Sequence, residues 1–226
     1  MIAPSPHTDP AVRAARAWAH SARFLVTASR LHELPDPGLP EVAFVGRSNA
    51  GKSSAINALA QHRRLAFASK TPGRTQHINL FALGPADAPD AIWVDLPGYG
   101  FAAVEREAKQ RWQAVLADYL AQRQPLAGLV MLVDARHGFT ALDRQLLDFV
   151  WPRVASGEVR LLVLLTKSDK VNRRDAQHAL AQAEQVLGAM ATEHSDIGVA
   201  LFSAMSGEGL DDAAQALREW TSTPAT

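Results

Sequence analysis

Short blocks of apolar residues alternate with longer blocks in which apolar residues recur at helical spacing, from residue 41 to the end of the chain. The short blocks predict buried strands at 41–45, 76–83, 91–96, 127–133, 159–165 and 197–202. The longer blocks predict helices at about 52–61, 104–122, 140–151, 173–190 and 209–221. This alternation indicates an α/β fold, with helices on both faces of a mostly parallel six-stranded sheet. One strand is expected to be antiparallel, because the turn-rich link 84–90 is short enough for a hairpin.

The first forty residues follow a different pattern. Residues 1–10 contain three prolines and few apolar side chains, so we expect disorder there. Residues 11–20 predict a short helix, and 22–28 a short extended or helical piece. The segment 34–40 contains three prolines and a glycine, which exclude regular structure. We therefore expect a partly disordered extension over 1–38 and one folded domain over 39–223.

A glycine-rich segment follows the first of these strands and opens the first of these helices. Its sequence at 46–53 is G-x-x-x-x-G-K-[ST] in full. The glycines let consecutive backbone N–H groups point at an anion, and the helix adds the positive end of its dipole. Lys52 supplies a charge for the β- and γ-phosphates, and the Ser53 hydroxyl is a suitable Mg²⁺ ligand. The predicted phosphate-binding residues here are Gly46, Arg47, Ser48, Asn49, Ala50, Gly51, Lys52, Ser53 and Ser54.

A carboxylate ends the strand predicted at 91–96. Asp95 there can hold Mg²⁺ through a water molecule. Gly98, three residues on, can offer its backbone N–H to a γ-phosphate, and Leu96 and Pro97 lie between the two. A lone D-x-x-G is usually a turn, but about forty residues after a phosphate-binding loop it indicates a second part of the same site.

A polar loop, residues 70–76, precedes the strand predicted at 76–83 and can reach over the phosphates. The Thr75 hydroxyl can complete the Mg²⁺ shell, so that a triphosphate would order the loop. Thr71 is the alternative, and we favour Thr75. The residues expected to approach the phosphates from this loop are Gly73, Arg74, Thr75, Gln76 and His77.

Two strand ends carry residues suited to guanine. Asp169 follows the strand 159–165 and can accept hydrogen bonds from guanine N1–H and N2–H₂, a donor pair that adenine lacks. The Lys167 stem can pack over the purine ring. After the strand 197–202, the backbone N–H of Ala204 can donate to guanine O6. The predicted guanine-binding residues are Thr166, Lys167, Ser168, Asp169, Phe202, Ser203 and Ala204.

These elements, in this order and all at strand ends, resemble a Ras-like P-loop GTPase. The segments GRSNAGKSS, KTPGRTQ, DLPGYG, TKSDK and FSA are similar to those of EngB-type (YihA, YsxC) ribosome-assembly GTPases, in the TrmE-Era-EngA-EngB-Septin-like class. The resemblance covers about residues 21–222. It implies binding of GTP and GDP, Mg²⁺, slow hydrolysis with Lys52, Thr75 and Gly98 as catalytic residues, a role in late assembly of the large ribosomal subunit, and a need for the protein in cell division and septation.

Three residues carry separate expectations. Thr166 stands where most Ras-like proteins carry Asn, although Thr is usual in the resembled family, so one contact to the base or the phosphate loop can differ. Tyr99 stands where a water-positioning Gln would be, so we expect slow intrinsic turnover. Asn49 makes K⁺ a further candidate cofactor, because a cation beside the phosphates could stabilise transition-state charge. The alternative for Asn49 is that it only braces the loop.

Composition limits the kinds of site and the cellular location that we expect for the protein. The chain has no cysteine, which excludes disulfides and cysteine-based zinc sites. No secretory signal or membrane span is visible, so we expect a cytoplasmic protein, and a monomer. The net charge is zero, but residues 1–80 hold ten Lys or Arg against four Asp or Glu. This basic third could serve the nucleotide alone or could contact ribosomal RNA of the large-subunit precursor.

Two other functions remain open from the sequence. A small-molecule phosphotransferase would need an arginine-rich substrate lid, which is not visible, and would leave the TKSD segment unexplained. A scaffold that is stabilised by GTP and does not hydrolyse it usefully is compatible with Tyr99. The GTP-driven switch is the interpretation that we favour.

Overall fold

The computed structural model describes residues 9–66, 77–100 and 115–222. Its strands are β1 (Arg23–Ala28), β2 (Glu41–Gly46), β3 (Ile78–Leu83), β4 (Ala91–Asp95), β5 (Leu126–Asp134), β6 (Arg160–Thr166) and β7 (Ile197–Phe202). The helices of these residues are α1 (Pro10–His20), α2 (Lys52–Leu59), α3 (described over 115–122), α4 (Ala141–Ala155), α5 (Arg173–Met190) and α6 (Leu210–Ser222). Short 3₁₀ turns lie at Leu31–Glu33 and Ser168–Lys170.

The strands form one sheet in the order β1-β3-β4-β2-β5-β6-β7. Strand β3 is antiparallel to both of its neighbours, and the pairs from β4 to β7 are parallel. The predicted α/β class and single antiparallel strand are therefore confirmed. The predicted number of six strands is wrong, because residues 23–28 of the N-terminal extension add β1 to the outer edge of β3. Without β1, the N–H and C=O groups along that edge of β3 would lack strand partners.

Apolar residues fill the space on both faces of the sheet. One cluster lies under α3, α4 and α5, and the other lies under α1, α2 and α6. Trp93 of β4 is fully buried in the second cluster. Its ring meets Phe44 of β2 edge-on at 5.3 Å and Trp18 of α1 at 5.9 Å. Helices therefore cover both faces, as the apolar strands require.

Helix α1 contacts α6, the last helix of the described residues. Asp9 caps it by accepting a hydrogen bond from the Ala11 N–H at 2.8 Å, so the helix begins at Pro10, within the segment expected to be disordered. The helix packs on α6, and Arg16 forms an ion pair with Asp211 at 2.9 Å. The extension is thus part of the same packed body as the strands.

Several element ends differ from the predicted ones. Helix α4 runs to Ala155, beyond the predicted end at 151, and carries Pro152 in its last turns. Its start is fixed by a capping box, in which Thr140 and Asp143 exchange hydrogen bonds. The predicted helix 104–122 is helical over 115–122, and its earlier part lies outside the described residues.

A carboxylate is fully buried at the start of the central strand β2. Glu41 is 0 % exposed. It accepts a hydrogen bond from the Tyr119 hydroxyl at 2.6 Å and is held by Arg123, whose closest nitrogen lies 2.6 Å from it. Arg123 also donates to the carbonyl of Pro35 in the linker. An unpaired buried charge is very costly. This network therefore holds α3 and the linker against the N-terminal end of β2.

Candidate nucleotide-binding site

The loops that follow β2, β4, β6 and β7 lie at the carboxyl edge of the sheet, and hydrogen bonds join them in pairs. Open parallel sheets bind their ligands at this edge. The loop 46–53 after β2 contacts the loop after β4 through Ser48 and Tyr99, and contacts the end of β6 through Thr166. The loops after β6 and β7 are joined by Asp169 and Ser203. The structure therefore connects the loops that carry the predicted residues at 46–53, 95–98, 166–169 and 202–204.

The loop after β2 turns sharply at Gly46 and again at Gly51. A Cβ atom on Gly46 would lie 2.9 Å from the Leu132 carbonyl oxygen of the neighbouring strand β5, so only glycine fits. Gly51 has φ of 98°, in the left-handed region, and stands directly before α2. These two positions explain why the sequence has glycine at both ends of the loop.

Lys52 and Asp95 form a buried ion pair in the centre of the site. Lys52 is 8 % exposed and Asp95 is 1 % exposed. The second carboxylate oxygen of Asp95, Oδ2, is buried, and no group of the described residues donates to it. Such an oxygen is suited to a water of a Mg²⁺ shell, and the Ser53 hydroxyl lies in the first turn of α2 beside Lys52. Among the described residues, no group of three or more His, Asp or Glu could hold a metal ion.

The loop after β4 runs against the loop after β2. The Ser48 N–H donates to the Tyr99 carbonyl at 2.9 Å, and the Tyr99 N–H donates to the Gly46 carbonyl at 3.2 Å. A Cβ atom on Gly98 would lie 3.3 Å from the backbone of Ser48. Gly98 is therefore a position of close approach between the two loops.

The Tyr99 side chain is turned toward α4, so its hydroxyl is not placed to position a water molecule. Its hydroxyl donates to Asp143 Oδ1 at 2.7 Å, at the start of α4, and the residue is buried. The other oxygen of Asp143 accepts from the Thr140 N–H and hydroxyl. Burial and the neighbouring Asp143 carboxylate raise the pKa of Tyr99 far above its usual range, so the phenol stays protonated.

Thr166 and Lys167 hold the loop 46–53 from the side of β6. The Thr166 hydroxyl donates to the carbonyl of Ala50, and the Lys167 ammonium donates to the carbonyl of Asn49 at 2.6 Å. Lys167 adopts a left-handed backbone conformation with φ of 59°. Thr166 therefore keeps a side-chain contact to the phosphate loop, although it stands where most Ras-like proteins carry Asn.

Asp169 lies in the 3₁₀ turn after β6 and contacts the loop after β7. Its Oδ1 accepts from the Ser203 hydroxyl at 2.7 Å, and Lys170 lies 3.1 Å from Oδ2. The hydrogen bond from Ser203, with a smaller contribution from Lys170, lowers the pKa of Asp169 below its usual value. The carboxylate thus stays ionised at neutral pH and keeps lone pairs for further donors. Phe202 is buried below it, and Ala204 is partly exposed beside it.

Part of the predicted site cannot be compared with the structure. Gly73, Arg74, Thr75 and Gln76, and the alternative Thr71, lie outside the described residues. His77 is described, and its Nδ1 lies 2.9 Å from the Ser29 hydroxyl of the extension.

Comparison with known proteins identifies the family. A family model described as "50S ribosome-binding GTPase" matches residues 41–167. A protein of Acidovorax ebreus is 53% identical over 203 residues, which are 90% of this chain and 89% of that protein. One of Albidiferax ferrireducens is 52% identical over 90% of this chain and 94% of its own. Both carry the description "Probable GTP-binding protein EngB".

The chain belongs to the EngB family. It is a GTP-binding protein and a GTP-hydrolysing enzyme of the P-loop class, as the resemblance implied. Solved structures agree on the fold. A crystal structure of an EngB protein has a TM-score of 0.59 at 18% identity, covering 80% of this chain and 98% of that one. A structure of Era has a TM-score of 0.62 at 18% identity, covering 83% of this chain and 58% of that one. None of the helices in the described residues is long and apolar enough to span a membrane.

Three acidic residues of this EngB-family site were missed by the sequence analysis. Asp143 anchors Tyr99, Glu208 accepts a hydrogen bond from the Ser168 hydroxyl, and Asp134 binds Lys167. Asp134 could have been found, because it ends an apolar strand as Asp95 does. Asp143 and Glu208 lie in a helix and a loop with no sequence signal for a site.

Removal of the Tyr99 hydroxyl should weaken the attachment of the loop after β4 to helix α4 in this EngB-family protein. Tyr99→Phe leaves the buried Asp143 Oδ1 without its donor, so we expect unfolding free energy to fall by about 1–3 kcal/mol. We also expect faster GDP release, because the Tyr99 backbone is bonded to Gly46 and Ser48. Denaturant unfolding and the release of a fluorescent GDP measure the two effects. Tyr119→Phe is the control: it should lower stability through Glu41 and leave GDP release unchanged. Unchanged GDP release in Tyr99→Phe would contradict the expectation.

Proposed function

We propose that this protein is a GTP-driven switch that binds the large ribosomal subunit during its assembly, acts in the cytoplasm and is needed for cell division and septation. The observation that carries the proposal is the nucleotide site, in which the phosphate loop and base loops bind one another, in a chain matched by the model described as "50S ribosome-binding GTPase". The Era structure supports an RNA partner, since that protein is in complex with MgGDPNP and nucleotides 1506–1542 of 16S ribosomal RNA. We assign the nucleotide function to the domain 39–223 of a monomer.

The residues that we propose to bind the nucleotide phosphates are the loop 46–53 with Ser54, the segment Asp95, Leu96, Pro97 and Gly98, and the loop 73–77. Lys52, Thr75 and Gly98 are the proposed catalytic residues. Ser53 and Thr75 are the proposed Mg²⁺ ligands, with Asp95 acting through water. The buried Asp95 Oδ2, which has no donor among the described residues, supports this role. When bound, Mg²⁺ would neutralise phosphate charge. A structure with a GTP analogue in which Thr75 lies far from the metal would refute this assignment.

Asp169 is proposed to select guanine, together with the other residues of 166–169 and 202–204. Asp169→Asn removes the acceptor for guanine N1–H and N2–H₂, so we expect GTP affinity to fall roughly 30-fold to 1000-fold. The Asn amide can instead donate to the C2 carbonyl of xanthine, so preference should shift toward xanthine nucleotides. Titration with fluorescent GDP and XDP measures both changes. The exposed Asp148→Asn is the control for the charge change. Equal GTP affinity in Asp169→Asn and the wild type would rule out this role.

Hydrolysis by the isolated protein is proposed to be slow, because Tyr99 is turned toward Asp143 and offers no group to orient a water molecule. Asn49 is the candidate for placing K⁺: its backbone is left-handed, with φ of 67°, and the residue is exposed within the loop. We therefore expect slow single-turnover GTP cleavage that is faster in KCl than in NaCl at matched ionic strength. Equal rates in the two salts would rule out K⁺ as a cofactor. Asn49 would then only brace the loop.

The proposed RNA-binding surface is centred on Arg63 and Arg64, which follow α2 and are exposed. Two hydrogen bonds of 2.8 Å between Asn57 and the backbone of Ala66 close this segment onto α2, so the two arginines are presented from a fixed base. The basic residues of the extension, Arg13, Arg16, Arg23 and Arg30, belong to the proposed surface. Arg13 and Arg30 are exposed. Arg16 is paired with Asp211, and Arg23 donates to backbone carbonyls at 84–86, so these two have less freedom to bind phosphate. Lys70 and Arg74 belong to the same surface in the proposal and lie outside the described residues.

Charge reversal tests this surface. Arg63→Glu combined with Arg64→Glu should leave GTP binding unchanged and abolish co-sedimentation with the large ribosomal subunit, because phosphate contacts dominate RNA affinity. In the wild type, a GTP analogue should strengthen co-sedimentation and added salt should weaken it steeply. Arg173→Glu with Arg174→Glu is the matched control, since this exposed pair at the start of α5 gives the same change in charge. Co-sedimentation of the 63/64 variant at low salt would exclude this segment as the docking surface.

A further inference from the structure

Asp134, the last residue of β5, has been described so far only as a partner of Lys167. It stands in register with Thr166 at the end of β6, so it is next to the first residue of the guanine-binding segment. Its side chain is only 12 % exposed. A carboxylate that is so far removed from water at a strand end needs partners, and those partners show what it does.

Four hydrogen bonds reach the Asp134 carboxylate. Arg136 supplies three of them, from its backbone N–H at 3.1 Å, Nε at 2.9 Å and Nη2 at 2.7 Å. Lys167 Nζ supplies the fourth, to Oδ2 at 2.8 Å. Burial alone would raise the pKa of Asp134, but the hydrogen bonds from Arg136 and Lys167 outweigh it and hold the pKa well below its usual range. Asp134 is therefore a fixed negative charge whose orientation is set by Arg136.

The Lys167 ammonium is held at two points. Besides Asp134, it donates to the Asn49 carbonyl of the phosphate loop at 2.6 Å. A lysine side chain has large rotamer freedom when its end is loose, and fixing that end restricts the whole stem. Because its ammonium is held between Asp134 of β5 and the phosphate loop, the Lys167 stem is confined to one course across the site. Of the Lys167 side chain, 29 % remains accessible to a ligand.

We propose that Asp134 is a positioning residue for purine-nucleotide binding: it holds the Lys167 ammonium against the phosphate loop, so that the lysine stem is already in place when a purine packs on it. This inference rests on the proposed function, because it takes Lys167 as the residue under the base. Without Asp134 the protein would have to order the lysine at the moment of binding. The cost of ordering one such side chain corresponds to about a threefold to tenfold loss of affinity.

The position of Asp134 also separates its role from that of Asp169. Asp169 reads the edge of the base, whereas Asp134 acts through a stem that touches the ring face. Loss of Asp134 should therefore weaken GDP and IDP by the same factor, although IDP lacks the N2 amino group. Loss of a group that reads the base edge would change the ratio between the two nucleotides.

A double-mutant cycle tests the proposal in the full-length protein. Asp134→Asn should weaken GDP and IDP binding about threefold to tenfold. Lys167→Met keeps an unbranched apolar stem without the ammonium, so in that background Asp134→Asn should have no further effect on GDP affinity. A purely structural role would lower affinity equally in both backgrounds, and that result would overturn the proposal. Asp148→Asn, at an exposed position of α4, controls for the lost charge.

Two further arms keep the test decisive. If Asp134→Asn does not fold, Asp134→Glu moves the charge by one methylene. This variant should lose GDP affinity at least about twofold when Lys167 is present, and should lose none when it is combined with Lys167→Met. If the wild type itself fails to bind GDP, the proposed function is wrong. If the wild type binds GDP and Asp134→Asn binds it equally well, the inference alone is wrong.

Discussion

The burial of β2 is the constraint on which the rest of the structure depends. All six of its residues are buried, including the carboxylate of Glu41 at its start. A charge in that position must be paired, so Tyr119 and Arg123 bring α3 to the lower end of the strand. At the upper end, Gly46 passes so close to Leu132 that the chain can turn there only with glycine. Charge pairing at one end and close backbone packing at the other hold β2 in the sheet, and the close packing at Gly46 sets where the phosphate loop begins.

Above β2, the site is held by contacts between loops from different strands. Thr166 and Lys167 bind two carbonyls of the phosphate loop, and the backbone of Tyr99 binds that loop from the side of β4. These contacts are made between groups of the protein itself, so much of the ordering cost of the site is met on folding and does not reduce affinity. The same connections give any movement of the loop after β4 a direct route to the phosphate loop and, through Asp143, to α4.

The sequence predicts what depends on local pattern. Parallel strands β2 and β4 to β7 are continuous apolar runs, and the phosphate loop, Asp95 and Asp169 follow strand ends at fixed spacing. Strand β1 is ambiguous in the sequence because Phe24, Leu25 and Val26 are three consecutive apolar residues without the alternation that marks a half-buried strand. In the structure, a bulge between Phe24 and Val26 accompanies the exposure of both Phe24 and Leu25. Asp143 and Glu208 were not predictable, because their roles arise from residues 44 and 40 positions away that only the folded chain brings to them.

The pairing of α1 with α6 also has a consequence for the order of events during synthesis. Arg16 and its partner Asp211 are 195 residues apart, so α1 leaves the ribosome long before the helix that it packs on. Until then, the buried face of α1, with Val12, Ala15, Trp18 and Ala19, has no α6 to cover it. Domains generally fold as units, so a domain whose first helix packs on its last cannot be completed until both have been made. In this chain Trp18 of α1 can meet Trp93 of β4 early in synthesis, but the native contact of α1 with α6 can form only when almost the whole chain has been made.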